Sequence, residues 1–281
     1  MCFVVKKDFS VPSVVKKSFK GELKMAETED MKKLFTDAEA GLAPAQLELG
    51  MCYVRGSAVV ENYAEAVKWF RKAAEQGSRD ALYELALALL DGCGIAKNYA
   101  EAVKWLHKVA VAEPRHPAGQ FLLGCCYDNG SGVAKDEAKA VKWWRKAAEN
   151  GFMKAQFALG VCYREGTGVE QDETEAVKWF IPAAEKGFPL QQYNLALCYA
   201  NGWGVAKDHA EAVKWFRKAA EPKCVIRSQH QYVAAAQYNL ALCYSNGWGV
   251  NQDYAEAVKW FRRASEQACF ESRRAVSAFG K

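Results

Sequence analysis

Histidine is scarce in this chain: His107, His116, His209 and His230 are the only four in 281 residues. None has a partner at a metal-binding spacing such as H-x-x-x-H, so each reads as a surface residue and no metal centre is expected. No P-loop, G-x-S-x-G or G-x-G-x-x-G occurs, which removes the phosphate-cradling loop and the strained nucleophile turn. There is no run of about 18 apolar residues, so no integral membrane segment is expected. The N-terminus makes a poor signal peptide, because Cys2–Val5 and Val11–Val15 are short and are separated by Lys6, Lys7 and Asp8. Basic charge is missing where a nucleic acid would need it. Residues 1–24 carry six lysines against Asp8 and Glu22, a charge of +4 out of +5, which leaves about +1 for the rest. A nearly neutral body has no basic stripe to neutralise phosphates, so nucleic acid is not an expected partner.

The ten cysteines contain no C-x-x-C pair. Five of them, Cys52, Cys126, Cys162, Cys198 and Cys243, recur at one position of a repeating pattern where another copy has Ala88. Packed helices lie about 8–10 Å apart, beyond the roughly 7 Å Cα separation a disulfide tolerates. A small residue interchangeable with alanine is expected to pack the core as a free thiol. That suggests a reducing, cytoplasmic setting.

What the chain has is a period. Trp69, Trp105, Trp143, Trp179, Trp215 and Trp260 are spaced by 36, 38, 36, 36 and 45 residues. Each closes the phrase seen in Ala64-Glu-Ala-Val-Lys-Trp-Phe-Arg-Lys-Ala-Ala-Glu75 and again in Ala210–Glu221. A fixed period in the thirties marks a repeat array, whose units bury their apolar faces against neighbours. The fold class is therefore all-α, an αα-hairpin repeat solenoid of six repeats with capping helices. An array offers a long surface rather than an enclosed pocket, so neither a catalytic residue, nor a cofactor, nor a small-molecule substrate is expected.

Each repeat reads as two helices. The first ends at a glycine, Gly56, Gly92, Gly130, Gly166, Gly202 or Gly247, which supplies the left-handed closing conformation. A second turn glycine follows two residues later except in the first repeat, where Ala58 predicts a strained or differently shaped turn. The second helix opens on a capping box, Asn62/Glu65, Asn98/Glu101, Asp172/Glu175, Asp208/Glu211 and Asp253/Glu256. In the third repeat Lys139 replaces the glutamate, and the pairing is expected to be lost. Tyr63, Ala66, Val67, Phe70, Ala73 and Ala74 then share one helix face, with the tryptophan covering its edge as packing rather than as a ligand platform. Pro182 lies inside a second helix and should bend it locally.

These residues suggest a family. Ala155–Gly187 carries Leu159-Gly160, Tyr163, Gly166-x-Gly168-Val169, Asp172, Ala176, Trp179, Ala183-Ala184 and Gly187, and this pattern resembles the Sel-one-like repeat of the tetratricopeptide superfamily. About 230 of the 281 residues fall within six such units. The resemblance implies a right-handed superhelix whose first helices line the concave side, and an adaptor that assembles protein complexes. The expected organisation is a basic leader over 1–24, an N-terminal capping helix over 25–41, and six repeats over 42–268. A C-terminal cap or tail would occupy 269–281, with Ala268–Phe279 as a closing helix. A nine-residue lengthening between the fifth and sixth repeats places an insertion at 222–233, either a contact loop or a tolerated surface loop.

The partner expected is a protein or peptide segment bound on the concave face. On the first helix the positions that vary between copies fall at i, i+4, i+7 and i+11, here Leu190, Asn194, Leu197 and Asn201. Such a face is either partner-reading or simply solvated. The fifth and sixth repeats share Tyr193-Asn194 with Tyr238-Asn239, and Asn201-Gly-Trp203 with Asn246-Gly-Trp248. Asparagine can clamp a backbone amide, and Trp203 and Trp248 stand where other copies hold Ser57, Cys93, Ser131 and Thr167, as interface anchors would. Duplication of one unit would copy these residues as well. Two alternatives follow from the resemblance. Cysteine-rich members of the family have been linked to β-lactam binding, and Ser13-Val-Val-Lys16 spells S-x-x-K, but S-D-N and K-T-G are absent and this chain has one shared cysteine per repeat rather than a bridging pair. The other is a secreted effector of the same repeat class.

Overall fold

In the computed structural model, residues 29–112, 116–222 and 229–279 are described, with residues 267–279 described by backbone alone. The leader, the Ser13/Lys16 pair and residues 223–228 of the insertion lie outside them. The described residues form thirteen helices and no strand, in two compact units, Met1–Asn150 and Gly151–Lys281. The first unit holds α1 (Glu29–Glu39), α2 (Ala43–Arg55), α3 (Tyr63–Glu75), α4 (Arg79–Asp91), α5 (Tyr99–Val111), α6 (Pro117–Asn129) and α7 (Glu137–Glu149). The second holds α8 (Met153–Glu165), α9 (Glu173–Glu185), α10 (Pro189–Asn201), α11 (His209–Ala220), α12 (His230–Asn246) and α13 (Tyr254–Phe279). Inside each unit every helix packs on its chain neighbours, as αα-hairpin stacking requires.

Every first helix from α2 to α12 closes on its glycine in the left-handed region, at φ between 62° and 80°. The second turn glycine is held by packing. A Cβ on Gly94, Gly132, Gly204 or Gly249 would lie 1.9–2.3 Å from the backbone of Tyr63, Tyr99, Glu173 or His209, where the preceding second helix begins. The first turn is not reshaped: Ala58 adopts φ 63°, so the alanine itself carries the left-handed strain.

The second helices are capped, but not by the reciprocal box. The Asn or Asp side chain accepts from the amide three residues on, as in Asn62 to Glu65 N at 3.1 Å and Asp208 to Glu211 N at 2.9 Å. The amide of the capping residue itself is already bonded to a first-helix carbonyl, Asn62 N to Tyr53 O at 3.0 Å and Asp208 N to Tyr199 O at 2.9 Å. That bond ties the turn down, and Glu65, Glu175, Glu211 and Glu256 each pair with the lysine three places on. The third repeat therefore loses nothing: Asp136 accepts from Lys139 N at 2.8 Å and pairs with Lys139 Nζ at 3.0 Å.

In three repeats a ring is pressed on a first-helix glycine, where the others carry Ala86, Ala196 and Ala241. A Cβ on Gly50, Gly124 or Gly160 would meet the ring of Phe70, Trp144 or Phe180 at 2.4–2.5 Å. A polar column runs through the same core. Gln46, Gln120, Gln192 and Gln237, all buried, donate to the last-turn carbonyls of the preceding second helix at Ala38, Ala110, Ala184 and Ala220. The tryptophans of the period are packing residues, and most are capped by a cation three places on. Lys72, Lys108, Lys146, Lys218 and Arg263 sit 3.6–4.6 Å from the ring centroids of Trp69, Trp105, Trp143, Trp215 and Trp260. In the fourth repeat that place is Pro182, and α9 continues through it for its full 13 residues.

Two expected boundaries shift. Residues 230–233 of the insertion are helical, the first turn of a 17-residue α12, and Val233 is buried. Residues 268–279 continue α13, which is a single 26-residue helix rather than a second helix followed by a separate closing one.

Candidate functional site

The second unit contains all eight residues singled out by comparing repeats, and α10 and α12 are in direct contact there. Their side chains divide into two groups. Leu195, Ala196, Leu240 and Ala241 turn the first helices inward, and this decides what their neighbours can do.

The group at the middle of the helices is packing. Asn194 is 4% exposed, so it does not lie on an open face. Its Nδ2 donates to Leu190 O at 2.8 Å and its Oδ1 accepts from Arg164 Nη1 at 3.2 Å. The first helices pack closely enough to enclose this position, which also holds the buried Leu122 and Ala158. Asn239 donates to Ala235 O at 2.9 Å and is hydrogen-bonded to Tyr193. Tyr193 is half-buried between Phe216 and Tyr232, with centroids at 6.0 and 6.4 Å, and burial raises its phenol pKa. Tyr238 makes the matching contact with Phe261 at 5.5 Å but is 51% exposed. Both asparagine side chains are thus already hydrogen-bonded within the protein.

The group at the turns is different. Trp203 is 39% and Trp248 46% exposed. They ride on turns of the same construction: Trp203 N donates to Cys198 O at 3.0 Å, Trp248 N to Cys243 O at 2.9 Å, and each is flanked by two left-handed glycines. Trp248 stacks on His209, which the sequence alone presents as a plain surface residue. The signal was available, because His209 opens the helix against which the Gly249 turn must pack. Asn201 and Asn246 are exposed beside the indoles, but their amides donate to Leu197 O and Leu242 O at 2.8 Å. Tyr238 lies eight positions before Asn246, the last residue of α12, about 12 Å at the helical rise, and Trp248 lies beyond that end on the turn. The eight residues therefore divide into Tyr193, Asn194 and Asn239, which are packed, and an exposed set made of Tyr238 and the four turn-end residues.

Elsewhere the titratable clusters are structural. His116 is the N-cap of α6, its Nδ1 accepting from Gly119 N at 3.0 Å, and its ring lies 4.7 Å from that of Tyr83. Burial holds its pKa below the usual range and pushes the Tyr83 phenol up to about 12. The thiols of Cys126, Cys198 and Cys243 are raised to about 12, 11 and 11 by burial, the opposite of an activated nucleophile. Among the described residues no group of three or more His, Cys, Asp or Glu could hold a metal ion, and no helix is long and apolar enough to cross a membrane.

A model of the Sel1 repeat matches residues 43–78, 79–110, 117–152, 154–188, 192–221 and 234–269. Among solved structures, a protective antigen of uropathogenic Escherichia coli strains displaying an SLR fold is 38% identical, with a TM-score of 0.77 over 84% of this chain and 48% of its own. The chain thus spans about half the length of that antigen. A Sel1 repeat protein from Oxalobacter formigenes is 33% identical, with a TM-score of 0.67 over 83% of this chain and 89% of its own. No protein of curated function matches. Six matched repeats, the twin-glycine turns and the capped second helices all agree: the chain belongs to the Sel1 repeat family.

Proposed function

We propose that the chain is a protein-interaction scaffold that holds an extended protein segment along the turn edge of its second unit. The observation that carries this is the pair Trp203 and Trp248, exposed at 39% and 46% on turns where the earlier repeats have small residues. A large aromatic ring left in water at a position that tolerates serine gains nothing for the fold, and such rings are the common anchors of interfaces. The contact lies at the ends of the first helices rather than at their middle, because Asn194 and Asn239 are hydrogen-bonded within the protein.

Selection of a random peptide library on the immobilised full chain tests it, with counter-selection on Trp203→Ser/Trp248→Thr. Both replacements are residues other repeats carry at this turn. Peptides that bind the parent and not the double variant are expected; enriched peptides that bind both equally would reject the edge.

A further inference from the structure

We propose that a groove at the start of the first unit is a docking site for the chain's own basic leader, and that Val14-Val-Lys-Lys-Ser-Phe-Lys20 is the segment it takes. The groove encloses about 470 Å³. It is lined by Met31 and Phe35 of α1, Tyr53 of α2, the first turn from Ala58 to Glu61, and Glu65 of α3. The leader itself lies outside the described residues.

The lining residues are those at which this part of the array departs from its own pattern. Val60 stands where the later turns carry Ala96, Ala134, Glu170, Ala206 and Asn251, and it is 79% exposed. Glu61 stands where they carry Lys97, Lys135, Gln171, Lys207 and Gln252. Phe35 stands at the position of Arg71, which reaches Glu101 at 2.8 Å in the next repeat. The counterpart of Glu101 is Glu65, so the groove has a phenylalanine where that pair has its arginine. Glu65 is paired instead with the exposed Lys68 at 2.6 Å, and Glu61 is hydrogen-bonded to the Tyr63 phenol. Lys32 also lines the groove and lies 3.6 Å from Glu29. Relative to its sister repeats, the surface has gained two large apolar groups and exchanged a cation for an anion. Five other turns fold without these choices, so the fold does not require them. An apolar patch beside carboxylates suits a segment that is both apolar and basic.

A segment of that chemistry is carried by the same chain. Val14–Lys20 sets Val14, Val15 and Phe19 among Lys16, Lys17 and Lys20, with no acidic residue between them. Lys20 is nine residues before Glu29, where α1 begins, and nine residues span up to about 30 Å. The groove includes Met31, in the first turn of that same helix, so the connection is long enough to turn back. A short tether of this kind gives an effective concentration of order mM. A free partner of equal chemistry has no such advantage, which favours the leader as occupant. Docked there, the apolar residues cover Phe35 and Val60, the lysines meet Glu61 and Glu65, and the array gains a cap at its first repeat.

Limited trypsin digestion of the full chain tests this, because cleavage after Lys16, Lys17 and Lys20 tracks the population of released leader. Val60→Ala/Glu61→Gln installs residues that other turns carry and should speed those cleavages about tenfold. Val14→Ser/Val15→Ser, which leaves the groove intact, should speed them equally. Unchanged rates, or acceleration by only one of the two variants, would overturn the proposal. Docking within one chain also predicts protection that is independent of protein concentration. Protection that fades on dilution, with a dimer seen by light scattering, would give the groove to a second copy and reject the leader of the same chain. Circular dichroism checks that the turn variant is folded; if it is not, Glu61→Lys, an exposed change that copies Lys97, Lys135 and Lys207, takes its place with the same expected outcome.

Discussion

The indole of Trp248 lies parallel to the imidazole of His209, ring centroids 5.8 Å apart and planes 13° apart. This contact joins the turn of the sixth repeat to the first residue of the second helix in the fifth. It orients a ring that remains nearly half exposed, so it positions the indole more than it buries it. Trp248→Thr should therefore cost less than about 1 kcal/mol of stability, because threonine occupies the same turn as Thr167 and burial lost at a half-exposed site is small. Urea denaturation measures this. A loss of several kcal/mol would show Trp248 to be core and remove it from any interface.

The ring-on-glycine contacts make the opposite case. Gly124 lies mid-helix in α6, where alanine ordinarily stabilises by about 0.5–1 kcal/mol. Here an added Cβ would sit 2.5 Å from the Trp144 ring and 3.1 Å from Ala140 O. Trp144 cannot retreat easily, since it is fully buried and its Nε1 donates to Phe121 O at 3.1 Å. Gly124→Ala should destabilise by about 1–3 kcal/mol, the usual range for overpacking. An unchanged denaturation midpoint would mean the first unit adjusts where the geometry says it cannot.

Much of this is legible in the sequence. The period, the glycine closures and the capping residues are local rules, so repetition in the sequence becomes repetition in space. What failed were inferences about which face is open. Asn194 varies between repeats like a solvent residue, yet the approach of neighbouring first helices encloses it, and helix-to-helix distance is not written in one helix's periodicity. The capping box failed for a related reason: the Asn62 amide was claimed by Tyr53 O across the turn. The glutamine column is not legible in the sequence, because Gln46, Gln120, Gln192 and Gln237 have the polarity of surface residues and their carbonyl partners lie eight to seventeen residues earlier.

That column yields a counterintuitive expectation. Gln192 Nε2 reaches Ala184 O at a long 3.4 Å, while Ala184 O already accepts from Gly187 N at 3.0 Å. Its Oε1 is buried, and no partner is found for it among the described residues. A buried acceptor left unpaired costs about 1–3 kcal/mol, whereas replacing it with an apolar group of similar shape can be neutral or favourable. The second repeat carries Leu82 at this position. Gln192→Leu is expected to leave stability unchanged or raise it by about 1 kcal/mol in chemical denaturation. A loss above 1 kcal/mol would mean that the amide bond matters more than the orphaned oxygen.

The last expectation concerns charge passed between repeats of the first unit. Arg71 on α3 pairs with Glu101 on α5 at 2.8 Å. One repeat later both residues change together: the arginine position is His107 and the glutamate position is Lys139. His107 Nε2 lies 3.1 Å from the Tyr127 hydroxyl, its ring is edge-on to Trp143, and Lys139 Nζ stands over the Tyr127 ring at 5.6 Å. Burial holds the His107 pKa below 6.5, so the neutral imidazole is the folded form. The depressed value means its contribution to stability is complete above the unfolded pKa and fades as pH falls toward the folded one. Lowering the pH from 7.5 to 5 should then lower the melting temperature, and His107→Arg should impose the same penalty at every pH by setting a permanent cation beside Lys139. Adding Lys139→Glu recreates the Arg71–Glu101 pairing and should recover most of the loss. Thermal melts of the two single variants and the double variant check this. If Lys139→Glu gives no more rescue in the His107→Arg background than in the parent, the two positions are not coupled and the shared change is a coincidence of the repeat.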